Sequence, residues 1–280
     1  MSKVGNIIAT DLYFRGVKKI FLPIHYLNYL LRAKTLHGTH SAFVYEFYQK
    51  VIAGDREYYD FAPIEHLRSM LLKSDEEIDV VDFGAGAKHF DKLNVTKRKV
   101  EDIAAKSAIP AKQGRVLFRL VNFMQPKTML EIGTSLGIST LYQAKACPNA
   151  NFITMEGSPE TSKLAAKNFH LLKSNNIKQV TGNFDETLPQ VLKTVSALDY
   201  VFFDGNHKQE PTLSYFKQCL PLASDNAVFI FDDIRWSNGM YQAWKEIIKE
   251  PSATVTIDLF SFGLVFFRKG QVKQHFTLKF

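Results

Sequence analysis

The chain has 280 residues, 46% of them hydrophobic and 22% charged, with a formal net charge of +7. That is ordinary for a soluble globular protein and long enough for one large domain, or one domain plus an extension. Two distant cysteines, Cys147 and Cys219, lack metal-ligand spacing, exclude a disulfide framework and point to a reducing, cytoplasmic compartment. The longest uncharged apolar run near the N-terminus, Ile20 to Leu31, contains Pro23, His25 and Asn28 and falls short of the roughly 20 residues of a spanning helix. No basic–apolar–small-residue pattern of a signal peptide precedes it. The positive excess lies mostly in the first 120 residues, and it is read as solvated surface. No long basic run or interleaved aromatic–basic motif points to nucleic acid.

Before Pro110 the chain reads as helices and irregular segments rich in Tyr and Phe, interrupted by a turn at His37, Gly38, His40 and Ser41. Val80-Val81-Asp82-Phe83-Gly84-Ala85-Gly86 resembles a strand followed by a glycine motif. Residues 87–94 supply neither a convincing amphipathic helix nor an acid-terminated second strand, so the segment is read as a structural or lid loop. An apolar helix over Leu117–Met124 stops before Pro126. Alternating βα units then begin. Strands are predicted over 128–132, 151–155, 179–181, 199–203 and 226–231. Helices are predicted over 138–147, 159–172, from about 186, over 211–220 and over 240–248. Ser158 suits the N-cap of the second of these helices and Pro159 its first position. Two last strands, 254–259 and 264–267, are joined by a link so short that they must be antiparallel. The pattern predicts an α/β fold: a Rossmann-like seven-stranded sheet with a C-terminal antiparallel hairpin over residues 110–280, preceded by a mostly helical extension over residues 1–109.

The sharpest motif is Glu131-Ile132-Gly133-Thr134-Ser135-Leu136-Gly137-Ile138-Ser139-Thr140 at the first strand-to-helix turn. Glycines there let a ligand approach the backbone, and the helix start offers free amides. A P-loop would need a lysine after its last glycine, and a dinucleotide fingerprint a third glycine where Ser135 stands. Glu-x-Gly-x-x-x-Gly resembles motif I of the class I S-adenosylmethionine (SAM)-dependent methyltransferases. That resemblance assigns cofactor contacts to Glu131, Gly133, Thr134, Ser135, Gly137 and Ser139. Glu156, with Gly157, ends the second strand, where an acid can accept both ribose hydroxyls of SAM or of NAD. Asn183-Phe184 follow the third strand, where the resemblance puts the edge of the adenine; Asp185 reads equally well as a helix cap.

Acids also end the fourth and fifth strands: Asp204 in Phe203-Asp204-Gly205-Asn206-His207, and Asp232-Asp233 before Ile234-Arg235-Trp236. Three converging carboxylates need a neutralising proton or cation, and oxygen ligands suit Mg²⁺ or another hard divalent ion. From Pro110-Ala111-Lys112-Gln113-Gly114 to about residue 270 the chain resembles metal-dependent O-methyltransferases of the catechol and caffeoyl-coenzyme-A type, and related enzymes that tailor sugars and antibiotics. The resemblance implies that Asp204, Asp232 and Asp233 hold the metal and that the acceptor is a small-molecule hydroxyl. It puts His207, with Asp204, where that group carries a catalytic lysine; Lys208 stands one place later. Without a metal, Asp204 can hold SAM or a backbone amide, and Asp233 or Ser237 can simply cap the following helix. The pattern of His37-Gly38-Thr39-His40-Ser41, the glycine loop and the acidic strand ends is also similar, over most of the chain, to a bacterial methyltransferase group of unassigned substrate. Trp236, Met240 and Trp244 recur at helical spacing and read first as core, with Trp236 a candidate pocket wall. Tyr13, Phe14, Tyr26, Tyr29, Phe43, Tyr45, Phe47 and Tyr48 are expected to cover the acceptor side or to form a homodimer contact. Two other readings stay open: an NAD-dependent oxidoreductase and a non-catalytic binding protein of the same fold.

Overall fold

The computed structural model describes residues 21–35, 40–82 and 94–280. His37, Tyr13, Phe14 and the glycines at 84 and 86 lie outside the described residues. After α1 (residues 21–32) come α2 (Ala42–Phe47), a π-helical turn (Tyr48–Ile52) and α3 (Phe61–Leu71). Ser41 caps α2 by accepting from the Val44 N–H. β1 (Glu77–Asp82) and β2 (Asn94–Lys99) form a separate antiparallel pair, so the extension is not helical throughout. Glu77 lies opposite Lys99 and Asp79 opposite Lys97, a charge pattern that favours this register. α4 (Val100–Ser107) and α5 (Ala111–Met124) lead into the sheet; Gln125, left-handed at φ 47°, ends α5 before Pro126 as expected.

The main sheet has all seven predicted strands: β3 (Thr128–Ile132), β4 (Asn151–Glu156), β5 (Ile177–Thr181), β6 (Leu198–Phe203), β7 (Ala223–Phe231), β8 (Val255–Asp258) and β9 (Gly263–Phe266). An eighth, β10 (Gln274–Thr277), pairs parallel to β8 at one edge; this short polar stretch carries no apolar run to announce it. The order is β10-β8-β9-β7-β6-β3-β4-β5, parallel except for β9. Between the strands run α6 (Ile138–Ala146), α7 (Pro159–Leu171), α8 (Phe184–Leu192), α9 (Gln209–Cys219) and α10 (Asn238–Ile247). Gly263 starts β9 because a Cβ there would lie 2.6 Å from the Trp244 ring. Met240 and Trp244 are core, whereas Trp236 is half exposed.

Phe43 and Phe47 of α2 point into the core, whereas Tyr45 is exposed. Phe43 and Phe47 are buried edge-on against Phe266 of β9, with centroids 5.0 and 5.5 Å away, in the same apolar core as α3, α5 and the sheet. That core crosses the sequence boundary at residues 109–110. No helix among the described residues is long and apolar enough to cross a membrane, and both cysteines are buried and unbridged.

The strand order reverses at β3: β4 and β5 lie on one side, β6 and β7 on the other. Ligands of open α/β sheets bind at the carboxyl edge at such a switch point. The segment after β7 is locked down by Arg235, which donates to both carboxylate oxygens of Asp258 at 2.7 and 2.6 Å and to the Phe260 carbonyl. Both side chains are buried. Asp258→Asn leaves a buried guanidinium short of its counter-charge, and urea unfolding is expected to show a loss of about 3 kcal/mol.

Candidate active site

Sheet register explains why the predicted residues meet. Ile132 pairs with Met155 on one side and Phe203 on the other, and Phe203 pairs with Phe231. The next residues, Gly133, Glu156, Asp204 and Asp232, therefore form one row across four strands, each step about 4.8 Å. Backbone strain gathers along this row. Ser135, Asn206 and Asp233 all have positive φ, at 48°, 55° and 52°, just past the ends of β3, β6 and β7. Such conformations cost of order 1–3 kcal/mol and cluster where ligands are bound.

The glycine loop has an inner and an outer layer. Glu131, fully buried, accepts from Ser139 Oγ (2.8 Å), Thr140 Oγ1 (2.5 Å), Gln143 Nε2 (2.7 Å) and Thr154 Oγ1 (2.7 Å). Burial pushes its carboxyl above the ordinary range, and these four donors pull it back. Thr134 is buried too, its hydroxyl 2.6 Å from that of Thr154. The side chains of Glu131, Ser139 and Thr134, expected among the cofactor contacts, are turned inward and bonded within the protein, Ser139 to Glu131 and Thr134 to Thr154. Half-buried Gly133 and Ser135 make the outer layer, and buried Gly137 closes the loop against Phe169. At Gly133 (φ 109°) a Cβ would stand 2.5 Å from the Asp204 carbonyl oxygen; at Gly137 (φ 81°) it would meet the Phe169 ring at 2.4 Å. Gly133→Ala is expected to cost about 2 kcal/mol in chemical unfolding and to abolish binding of S-adenosylhomocysteine in calorimetry.

Glu156 closes this layer from β4. Its carboxylate accepts the Ser135 N–H at 2.8 Å and the Ser158 N–H at 2.9 Å, with the Gly157 N–H also bonding it. Burial raises its pKa and the three amides oppose that rise. Ser158 stands at the N-cap position of α7, but its hydroxyl makes no cap bond; it accepts from Val81 N–H of β1 instead. Beyond β5, Asn183 rather than Asp185 caps α8, accepting the Asp185 N–H. Phe184 lies over Gly205, where a Cβ would meet its ring at 2.6 Å, and its ring stands edge-on to Tyr215. Tyr215 donates to Asp185 at 2.8 Å, a tie between α9 and α8 that nothing in the sequence announced.

The carboxyls of Asp204 and Asp232 act on each other, and two buried carboxylates so placed need a proton or a cation to offset their repulsion. Burial, then the neighbouring carboxylates, drives Asp204 well above the carboxylate range. Burial, then Asp233, raises Asp232 to about 7. Asp232 also accepts the N–H of Asp233, whose charge acts on Asp204, Asp232 and His207. His207 Nε2 stands 3.7 Å from Asp204 Oδ1, and burial lowers the imidazole pKa below its ordinary value. Lys208 is exposed at the start of α9. Among the described residues no three or more His, Cys, Asp or Glu side chains are gathered as a ready-made ion site. The donor chemistry nevertheless fits a hard divalent ion, which would offset the repulsion between Asp204 and Asp232. Ser237, not Asp233, caps α10 through its hydroxyl.

Residues 130–234 match the "Methyltransferase domain" model of the Methyltransf_24 family. Over 130 residues the chain is 30% identical to a catechol O-methyltransferase of Niastella koreensis, covering 45% of this chain and 58% of that protein. Over 135 residues it is 30% identical to a catechol O-methyltransferase of Mycobacterium tuberculosis, covering 48% and 60%. The chain thus spans somewhat under two thirds of the length of these relatives. Among solved structures it is similar to the O-methyltransferase TomG of Streptomyces achromogenes in complex with SAM (TM-score 0.51, 22% identity, 58% of this chain and 82% of that one). It is also similar to an O-methyltransferase of Bacillus cereus in complex with S-adenosylhomocysteine (TM-score 0.54, 17% identity, 80% and 96%). The fold is that of the class I SAM-dependent methyltransferases.

Proposed function

We propose that this protein transfers the methyl group of SAM to an oxygen of a small-molecule acceptor, with help from a divalent ion, in a cytoplasmic setting. The observation that carries the reading is the single row of Gly133, Glu156, Asp204 and Asp232, set by strand register. It joins a cofactor cradle at one end to a carboxylate pair at the other. SAM would supply an electrophilic methyl group, for which the protein has mainly to align a deprotonated acceptor. The loop from Gly133 to Gly137, whose N–H groups at Gly133, Ser135 and Gly137 are tied to the Met155 carbonyl, Glu156 and the Thr134 carbonyl, would take the methionine end along its half-buried residues Gly133 and Ser135. Glu156 keeps lone pairs for the ribose hydroxyls beyond those given to Ser135 and Ser158. Phe184, Asn183 and Gly157 flank the adenine side.

Asp204, Asp232 and Asp233 would hold the divalent ion, which lowers the pKa of an acceptor hydroxyl and orients it. His207 accepts the acceptor's proton. An NAD-dependent oxidoreductase would need the same ribose acid but gives no role to the carboxylates of β6 and β7, and the family match does not favour it.

Calorimetry and a methyl-transfer assay test the reading together. Saturable binding of S-adenosylhomocysteine, and transfer from SAM to a panel of catechols that is lost in EDTA and restored by Mg²⁺, are expected. Saturable NADH binding without S-adenosylhomocysteine binding would overturn it. Robust cofactor binding without transfer to any acceptor would favour a non-catalytic binding protein.

A further inference from the structure

A second cavity opens on the same sheet edge, beyond the methyl-transfer row. It measures about 340 Å³ and lies between α1, α10 and the ends of β8 and β10. Asp258, on its wall, pairs at the level of Gly263, which pairs with Phe231. The cavity therefore begins about two strand spacings, roughly 10 Å, past Asp232.

Its lining is strongly positive. Arg235, Arg32 and Lys245 face one acid, Asp258, beside the imidazoles of His25 and His275, both held below their ordinary pKa. That acid is already taken up by the two-point pair with Arg235 and by the Phe260 N–H. Among the described residues Arg32 and Lys245 have no ion-pair partner. Arg235 is 6% exposed, and its Nε is buried without a hydrogen-bond partner. A buried guanidinium N–H left unmade is costly, and an acceptor brought by a ligand would satisfy it. The walls offer aromatic surface as well: Tyr241 lies 5.4 Å from the Arg235 guanidinium and 5.1 Å from Lys245 Nζ.

We propose that this cavity binds the carboxylate or phosphate group of a small organic anion, its apolar part lying against Tyr241 and Trp244, at a site distinct from the methyl-transfer row. Two loose cations, a bonded arginine with one orphaned donor and a satisfied acid leave the cavity with unmatched positive charge that an oxyanion neutralises. The field is felt by His25, held below its ordinary pKa first by burial and then by Arg235 and Lys245. The volume suits a single-ring ligand with one acidic group. Two sources have this chemistry: an acidic arm of the methyl acceptor, and a separate effector.

Calorimetry on the full chain with phenyl phosphate, benzoate and the uncharged anisole tests this without turnover, so its outcome is independent of the methyltransferase reading. At least one of the two anions is expected to bind saturably, and anisole is not. The anion's Kd is expected to rise about tenfold in Lys245→Gln and in Arg32→Gln and to stay near the original in Lys245→Arg, with unchanged melting temperatures. Absence of saturable binding by both anions, or an unchanged Kd in both charge-removing variants, would overturn the proposal. Given that binding, kinetics with a carboxylate-bearing and an uncharged catechol assign its source. A KM raised by Lys245→Gln for the acidic catechol alone identifies the acceptor's own arm. Unchanged KM for both, with anion binding still weakened, identifies a separate effector.

Discussion

Glu131→Ala is expected to lower the unfolding free energy by about 4 kcal/mol and to abolish binding of S-adenosylhomocysteine. The side chain is fully buried and accepts from four others, Ser139, Thr140, Gln143 and Thr154. Removing it orphans four donors, each worth about 1–3 kcal/mol when left unmade, and opens a cavity that water refills only in part. In a thermal scan the loss corresponds to a melting temperature lower by about 10 °C. Glu131→Gln sharpens the test. It keeps the shape but sets an amide N–H₂ among groups that are themselves donors, so it should restore only part of the stability. Cofactor affinity should follow stability across the two variants, because Glu131 ties the start of α6 to β3 and β4 beneath the glycine loop and acts on ligand through that loop. A Glu131→Ala variant of full stability that has lost binding would place the carboxylate against the ligand instead.

Glu131 also shows where sequence reasoning stops. Both faces of β3 are buried, so no alternation tells which way a side chain points. The motif located the residue, but only the partners on α6 and β4 reveal that it turns inward. The row itself was more legible, since an acid or glycine directly after an apolar strand is visible in the chain, and parallel register then aligns the ends. The left-handed backbones at Ser135, Asn206 and Asp233 are not visible in the sequence, because serine seldom adopts that region and asparagine and aspartate adopt it at only a minority of their positions. The fate of Phe43 and Phe47 was hidden for a related reason: an aromatic stripe reads the same whether it meets a ligand or Phe266. Arg235 stands out in the sequence only as part of a motif. Its partner Asp258 lies 23 positions later, and a pair brought together by strand order leaves no local signal.

His207→Gln is expected to lower kcat about 100- to 1,000-fold while leaving the affinity for S-adenosylhomocysteine and the melting temperature nearly unchanged. The imidazole stands at the start of the segment leading to α9, its Nε2 3.7 Å from Asp204 Oδ1 and so beside the carboxylate pair. Among the described residues the ring's polar neighbour is Asp204, at a distance too long for a hydrogen bond, which separates its loss from a folding defect. Burial holds the imidazole below its ordinary pKa, so at pH 7 it is neutral and able to accept a proton. Protonation as the pH falls removes that capacity. On the proposed function, the unsubstituted protein should therefore lose kcat on the acid side, and the variant should lack that limb. Glutamine offers hydrogen bonds of similar reach but cannot take the proton, so a KM for the acceptor that changes little while kcat falls marks proton transfer rather than positioning. Lys208 provides the internal comparison. It is exposed one residue further on, and if Lys208→Gln rather than His207→Gln carries the loss of kcat, the lysine swings in and the histidine is not the base.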